Sequence, residues 1–499
     1  MGQTRYIRFL KERYRILLGY TGLINVLVGG LILLPCLVLV GFPDELDLVW
    51  GFLLPGLGSA AFGASLWRLF LPRGGESLSL AEGGVVVVLS WGFAILVGTV
   101  PFLTVGGLNF IQALFESTSG WTTTGLSVVD VSQASHMILL FRSTMQFAGG
   151  AGLAIIMLSA LAGPAGTGLS AAEGRTDQLM PHIRQSAKMV LTLYAGYTVM
   201  GFAALRMAGM DWFDAVNHAF CALSTGGFST RVESIGYWNS ASVEAVVIIL
   251  MLLGNTSFLT SYTLLHGNFR AVCRNGELRL QALLIPGMVL FVFFGVCAGL
   301  YPTLGKQMRV AIFEVTTALS TTGFSTVGYG DWSGLGWLIL IALMIIGGSA
   351  GSTAGGIKQY RVYALFRALL WEFRKMLLPQ GTVTEPDVWI GESRRFLCDR
   401  DLRQIALFVC LYLGTLTVGT GILAAYGHPL RESLFEFASV LGTVGLSTGI
   451  TSPTAPAGVL GTEILGMFLG RLEFFIVIIG LSRLVTNITT MTASIWKKD

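Results

Sequence analysis

The sequence predicts an all-α polytopic membrane protein of four pseudo-symmetric repeats, with two extra transmembrane helices at the N-terminus. Three observations predict it. First, 53% of the 499 residues are hydrophobic and only 12% charged, whereas soluble chains carry about 25% charge. Second, ten stretches reach the length of about 20 apolar residues that a bilayer crossing needs: 16–41, 48–71, 83–105, 136–161, 187–209, 241–265, 279–302, 333–357, 402–426 and 457–486. Third, one polar string recurs four times, spaced by roughly 100 residues, the mark of an internal repeat. Its copies are Thr122-Thr123-Thr124-Gly125-Leu126-Ser127, Ser224-Thr225-Gly226-Gly227-Phe228-Ser229, Ser320-Thr321-Thr322-Gly323-Phe324-Ser325 and Gly442-Thr443-Val444-Gly445-Leu446-Ser447.

Residues 1–77 hold the two extra spans. The first is too long for a signal peptide and lacks a clear cleavage site. Arg5, Arg8, Lys11, Arg13 and Arg15 precede it, and Lys497 and Lys498 end the chain. Excess positive charge marks the cytoplasmic side, so both termini are expected inside. The repeats are read as 78–186, 187–272, 273–368 and 402–499, and the polar stretch 369–401 as a cytoplasmic linker. Each repeat enters by an apolar helix and continues into a short segment (108–120, 212–223, 309–319 or 430–441). It then turns through the polar string and leaves by a second apolar helix. The short segments cannot cross a bilayer and suit half-helices dipping partway in. Irregular backbone at membrane depth survives only where protein buries it or where it lines a watery cavity. Four such loops at equivalent depth therefore predict helix–half-helix–loop–helix repeats around one pore.

The loop chemistry favours a cation. Aligned on the glycine, every copy has Thr two residues before it and Leu or Phe then Ser after it. Rings of backbone carbonyls and Thr hydroxyls can replace an alkali ion's hydration shell. Glycine permits the backbone angles that this aiming demands. Each half-helix would point its partly negative C-terminal end at the same place. Gly226 stands where the other copies have Thr or Val, which predicts a looser second repeat.

Nine residues before the glycine stand Glu116, His218, Glu314 and Glu436. The carboxylates either tie down their own loops or raise the cation concentration at the outer mouth. Their place on the half-helix favours the first reading, and His218 fits a structural bond better than a ligand. The run Gly347-Gly348-Ser349-Ala350-Gly351-Ser352-Thr353-Ala354-Gly355-Gly356 lies mid-span. It is either close packing through spaced glycines or a broken helix crossing the conduction path, and its polar residues favour the break. Arg471 sits near the centre of 457–486, where an arginine costs at least about 2.5 kcal/mol. It is expected to face water or a partner, without an intrahelical pair to Glu473.

Thr-Thr-Gly-Phe-Ser resembles one strand of the potassium-channel filter. Four such strands in one chain, over about residues 80–495, resemble the Trk/Ktr/HKT superfamily of potassium transporters. The two extra spans and the string Phe115-Glu116-Ser117-Thr118-Ser119-Gly120-Trp121-Thr122-Thr123-Thr124-Gly125 are most similar to the bacterial TrkH-type branch. The resemblance implies potassium uptake across the bacterial inner membrane. It implies a K+ filter made of Thr122–Gly125, Ser224–Gly227, Ser320–Gly323 and Gly442–Gly445, with the 347–356 loop and Arg471 gating below it. A serine at the filter glycine goes with sodium permeation in that family, so Gly125, Gly227, Gly323 and Gly445 imply potassium over sodium. It also implies a homodimer and a cytoplasmic nucleotide-binding regulatory subunit of the TrkA kind, since no Walker A string occurs here.

No cofactor beyond filter-bound K+ is expected, and the basic residues need no nucleic acid to explain them. Cys36, Cys221, Cys273, Cys297, Cys398 and Cys410 lack disulfide or zinc spacing. Two other readings fit the sequence less well. Coupling of potassium to Na+ or H+ fits less well, because carriers favour inverted repeats and these are parallel. An intramembrane serine protease would use Ser349 in Gly-x-Ser-x-Gly, but that motif needs a strand–turn–helix setting that a span lacks. Gly56-Leu57-Gly58-Ser59-Ala60-Ala61 mimics a dinucleotide loop but lies inside a span.

Overall fold

The computed structural model describes residues 3–70, 78–152, 183–379, 385–390 and 393–496. The two N-terminal helices, Gln3–Leu33 and Trp50–Phe70, pack through small residues. A Cβ added at Gly29 would lie 2.5 Å from Gly56 O, and one at Gly22 would lie 2.7 Å from Gly63 O. Such close backbone approach is how helices associate where lipid removes the hydrophobic drive. The Gly56–Ala61 string is helical and has no nucleotide-loop geometry.

Each repeat opens with a long helix: Leu80–Thr104, Ile183–Met207, Gly276–Val292 and Asp399–Ala425. The half-helices follow as Phe110–Trp121, Trp212–Leu223, Leu304–Leu319 and Leu430–Leu441. The third starts five residues before the expected 309, because Thr303 caps it by accepting from Lys306 N at 3.2 Å. The first begins with a capping box between Asn109 and Gln112, which satisfies two N–H groups that a helix start leaves orphaned.

The second helices depart from expectation. They run His136–Ala151, Ala241–Asn255, Gly334–Ile346 and Ala457–Leu472, only 13 to 16 residues each. At about 1.5 Å per residue they are about 20–24 Å long, short of the roughly 30 Å hydrocarbon core. The continuous spans expected at 241–265 and 457–486 are broken, and the span 333–357 is interrupted after Ile346, where its polar run favours a break. Ala241–Asn255 meets Phe258–Leu265 at 111°, and Ala457–Leu472 meets the helix that starts at Phe474 at 102°. The breaks have local causes. Ser257 caps the new helix by accepting from Thr260 N, Gly347 turns at φ +70°, and Glu473 takes φ +60°. In repeat one the helix stops at Ala151, and 153–182 lie outside the described residues. Six described helices are long and apolar enough to cross alone, and the two bent pairs would make eight.

Residues 380–384 and 391–392 of the 369–401 stretch lie outside the described residues. The helix Gln359–Met376 runs into it, and Asp387–Ile390 pairs antiparallel with Ser393–Phe396. Arg394 and Arg367 clamp Asp387, and the Arg394 guanidinium holds that carboxyl below its ordinary range.

The N-terminal packing generates a prediction. Gly29→Leu drives a side chain into the Gly56 backbone, so melting in detergent should fall by the equivalent of about 1–3 kcal/mol. Gly30→Leu points into open space and should leave the melting temperature unchanged.

Candidate functional site

Each half-helix ends in the same way, and an unusual residue does the ending. Thr123, Thr225, Thr321 and Thr443 adopt φ of +55°, +53°, +53° and +49°. Glycine normally takes this left-handed position after a helix. A β-branched residue there costs about 1–3 kcal/mol. The turn is held by paired bonds back to the helix. Thr123 N donates to Gly120 O and Thr124 N to Ser119 O, and the same two bonds recur at Thr225, Thr321 and Thr443. The glycine two residues on is again left-handed: Gly125 +91°, Gly227 +75°, Gly323 +85° and Gly445 +99°.

These turns bring the four loops together. A Cβ added at Gly125 would lie 2.1 Å from Gly226 O, one at Gly227 2.1 Å from Thr322 O, one at Gly323 1.9 Å from Val444 O, and one at Gly445 2.3 Å from Thr124 O. Repeat one meets two, two meets three, three meets four, and four meets one. The succession closes into a ring, with the carbonyl before each glycine against the glycine of the preceding repeat. The Thr123 and Thr443 hydroxyls are buried without a protein partner.

Buried polar groups on the half-helices tie down the ring. Glu116, His218, Glu314 and Glu436 are all 0% exposed. Glu116 accepts from Val128 N at 3.0 Å and from Arg142 Nε at 2.7 Å. Glu314 accepts from Thr326 N at 2.8 Å and Tyr329 OH at 2.5 Å. Glu436 accepts from Thr448 N at 2.7 Å and Thr451 N at 3.1 Å. His218 bonds Asp214 O at 2.7 Å through Nδ1 and Ser229 Oγ at 2.9 Å through Nε2. Every one of them holds the chain leaving its own loop.

The 347–356 segment is not helical and lies directly against the ring. Gly355 N donates to Thr321 Oγ1 at 2.7 Å. Thr353 Oγ1 accepts from Thr225 Oγ1 at 3.2 Å. A Cβ at Gly355 would lie 2.2 Å from Gly442 O. Repeat two's broken helix holds the segment from the side: Thr353 N donates to Gly254 O at 3.2 Å and Ser349 N to Asn255 O at 3.3 Å. Arg471 is at the end of its helix, beside the break in the 457–486 span. It donates to Thr353 O at 2.7 Å and to Gly149 O at 2.6 Å, joining repeat four to the segment and to repeat one. Glu473, at the break itself, pairs instead with Arg361 at 2.6 Å. A cavity of about 570 Å³ is lined by Ala350, Ser352, Lys358, Arg361, Arg471 and Glu473, and none of the ring residues lines it. The segment thus has one stretch on the ring and another on this cavity. A helix, Gly334–Ile346, precedes Ser349 where a nucleophile elbow would need a strand.

Several residues here escaped sequence reading. Arg142, Gln146 and Asn255 are polar residues inside apolar runs, which was their only signal. Glu277 starts the third repeat's first helix and accepts from Ala350 N at 2.7 Å, a contact between segments far apart in sequence. The expected looseness of repeat two is corrected. The space beside Gly226 is filled by the Gln146 carboxamide, which bonds Gly226 O and Phe228 N.

Known proteins share this architecture. The family described as TrkH, cation transport protein, matches residues 55–487. The Trk system potassium uptake protein TrkH of Escherichia coli K12 is 29% identical over 486 residues, covering 93% of this chain and 98% of its own. TrkG of the same organism is 30% identical over 469 residues, covering 90% and 94%. An uncharacterized cation transporter of Methanocaldococcus jannaschii is 29% identical over 478 residues, covering 95% and 96%. The crystal structure of the potassium transporter TrkH from Vibrio parahaemolyticus superposes with a TM-score of 0.81 at 26% identity, covering 93% and 98%.

The Glu116–Arg142 pair, almost wholly buried, generates a prediction. Breaking a buried pair costs about 3–5 kcal/mol, whereas replacing both partners can be nearly neutral. Glu116→Ala should therefore lower the melting temperature in detergent far more than Glu116→Gln combined with Arg142→Met. Equal losses would contradict the pairing.

Proposed function

The chain belongs to the TrkH family of cation transport proteins and is a multi-pass membrane transporter, not an enzyme, and we propose that it takes up potassium through the ring of four Thr-x-Gly loops. The single observation that carries this reading is the closed succession of glycine against carbonyl around the four repeats. Carbonyls fixed in a ring, under the negative ends of four half-helices, suit a dehydrated cation and repel an anion. The filter residues are Thr122–Gly125, Ser224–Gly227, Ser320–Gly323 and Gly442–Gly445. The curated relatives called potassium uptake proteins favour potassium as the cation.

The 347–356 loop is the gate, and Arg471 is its latch. Thr353 and Gly355 sit against the ring, so an ion leaving it meets the loop before the cavity beyond. Arg471 adds a positive charge at that point and holds Thr353 O. Glu277 holds Ala350 N, which makes it a second anchor. The protein works in the bacterial inner membrane with both termini inside, as a homodimer beside a TrkA-like nucleotide-binding subunit. Nucleotide control then comes from that subunit.

Two tests follow. Gly125→Ser puts a side chain against Gly226 O and should lower the potassium-to-sodium ratio in proteoliposome isotope uptake, with potassium, rubidium and sodium competing. An unchanged ratio would count against the filter. Arg471→Ala removes two charged hydrogen bonds, together about 3 kcal/mol or more, and should raise basal flux about tenfold or more without altering that ratio. Removing Gly348–Gly355 should act in the same direction. A closed variant would contradict the gate.

A further inference from the structure

Repeat two departs from the other three at two places that face its loop. Six residues before the loop glycine stand Ser119, Cys221, Thr317 and Ser439. The Ser119 and Ser439 hydroxyls accept from Gly125 N at 3.1 Å and Gly445 N at 3.0 Å. The Thr317 hydroxyl in repeat three makes no such bond, and Cys221 puts a thiol, a weak acceptor, at that position in repeat two, so this support belongs to repeats one and four. Directly before the glycine stand Thr124, Gly226, Thr322 and Val444, so repeat two also lacks that side chain.

The second helix of repeat one supplies what is missing. Aligned on Gly149, Gly254, Gly347 and Gly470, the position three residues earlier reads Gln146, Met251, Met344 and Met467. All four are 0% exposed. Only the member that reaches repeat two is polar. Gln146 Nε2 donates to Gly226 O at 2.5 Å, and Gln146 Oε1 accepts from Phe228 N at 3.1 Å. The amide fits in one sense only, since its partners are one acceptor and one donor. A Cβ at Gly226 would lie 2.3 Å from that same Oε1, so a side chain at 226 and the glutamine at 146 exclude each other. Gly226 O is also the carbonyl that repeat two presents to Gly125 in the ring.

We propose that Gln146 is a specificity-determining residue, a positioning group that sets the Gly226 carbonyl for the dehydrated cation. Its carboxamide fills the place of the missing Thr or Val side chain and bonds the loop on either side of Gly227. Because it acts on one carbonyl of the four, it tunes discrimination between cations and leaves passage itself intact. The inference rests on the ring being the filter.

The test is competitive potassium, rubidium and sodium uptake into proteoliposomes. Gln146→Leu removes both bonds and should lower the potassium-to-sodium ratio about fivefold, what the lost bond to the Gly226 carbonyl gives at about 1 kcal/mol, while potassium uptake persists. Gln146→Met copies the other three repeats in shape and should do the same if the leucine variant folds poorly. Gly226→Thr combined with Gln146→Met copies their pattern at both of these positions and should bring the ratio back to within about twofold. Rescue of that kind is not expected if Gln146 merely fills space. A ratio unchanged in both single variants, with Gly125→Ser lowering it, would overturn the assignment of Gln146 alone. A ratio unchanged in all three would overturn the filter reading beneath it.

Discussion

Four threonines held at positive φ are the constraint around which the molecule is arranged. A β-branched residue resists that conformation, and the cost recurs once per repeat at about 1–3 kcal/mol. Only surroundings that over-determine the turn can hold it. Two bonds to the helix end fix it from behind, and the next repeat's carbonyl presses on the following glycine. Each loop is braced by its neighbour, so no single loop is a self-sufficient unit.

The rest of the fold supplies what such a ring needs inside a membrane. Its outgoing chain would leave polar backbone stranded in hydrocarbon, and buried carboxylates satisfy it in three repeats, while in repeat two His218 holds Ser229 Oγ, which accepts from Arg231 N. Beneath the ring, the second helices stop after 13 to 16 residues. Continuous helices would be less easily rearranged. The breaks let the 347–356 segment reach the ring and place Arg471 at a helix end, where it bridges two other repeats.

Much of this was legible in the sequence, and the exceptions have physical reasons. The repeat, the half-helices and the family resemblance were readable because the Thr-x-Gly string stands out against apolar surroundings. Glu116, Glu314, Glu436 and His218 could be placed by counting back from the glycine. The broken helices at 255–258 and 472–474 were not readable, because an apolar average does not register a serine cap or one residue at positive φ. The partnership of Gln146 with Gly226 was out of reach for another reason. It joins residues 80 apart, and sequence shows the missing side chain at 226 without showing what fills the gap. The strand pairing within 369–401 was not readable, since a two-stranded hairpin of four residues a side carries little pattern.

The most direct measurement is the position of a bound alkali ion. A crystal grown in rubidium, with diffraction recorded at the rubidium absorption edge, locates the ion by its anomalous scattering. The predicted result is a peak on the axis of the ring, enclosed by Thr124 O, Gly226 O, Thr322 O and Val444 O. Rubidium held elsewhere in the protein, with the ring empty at saturating concentration, would contradict cation passage through the four loops.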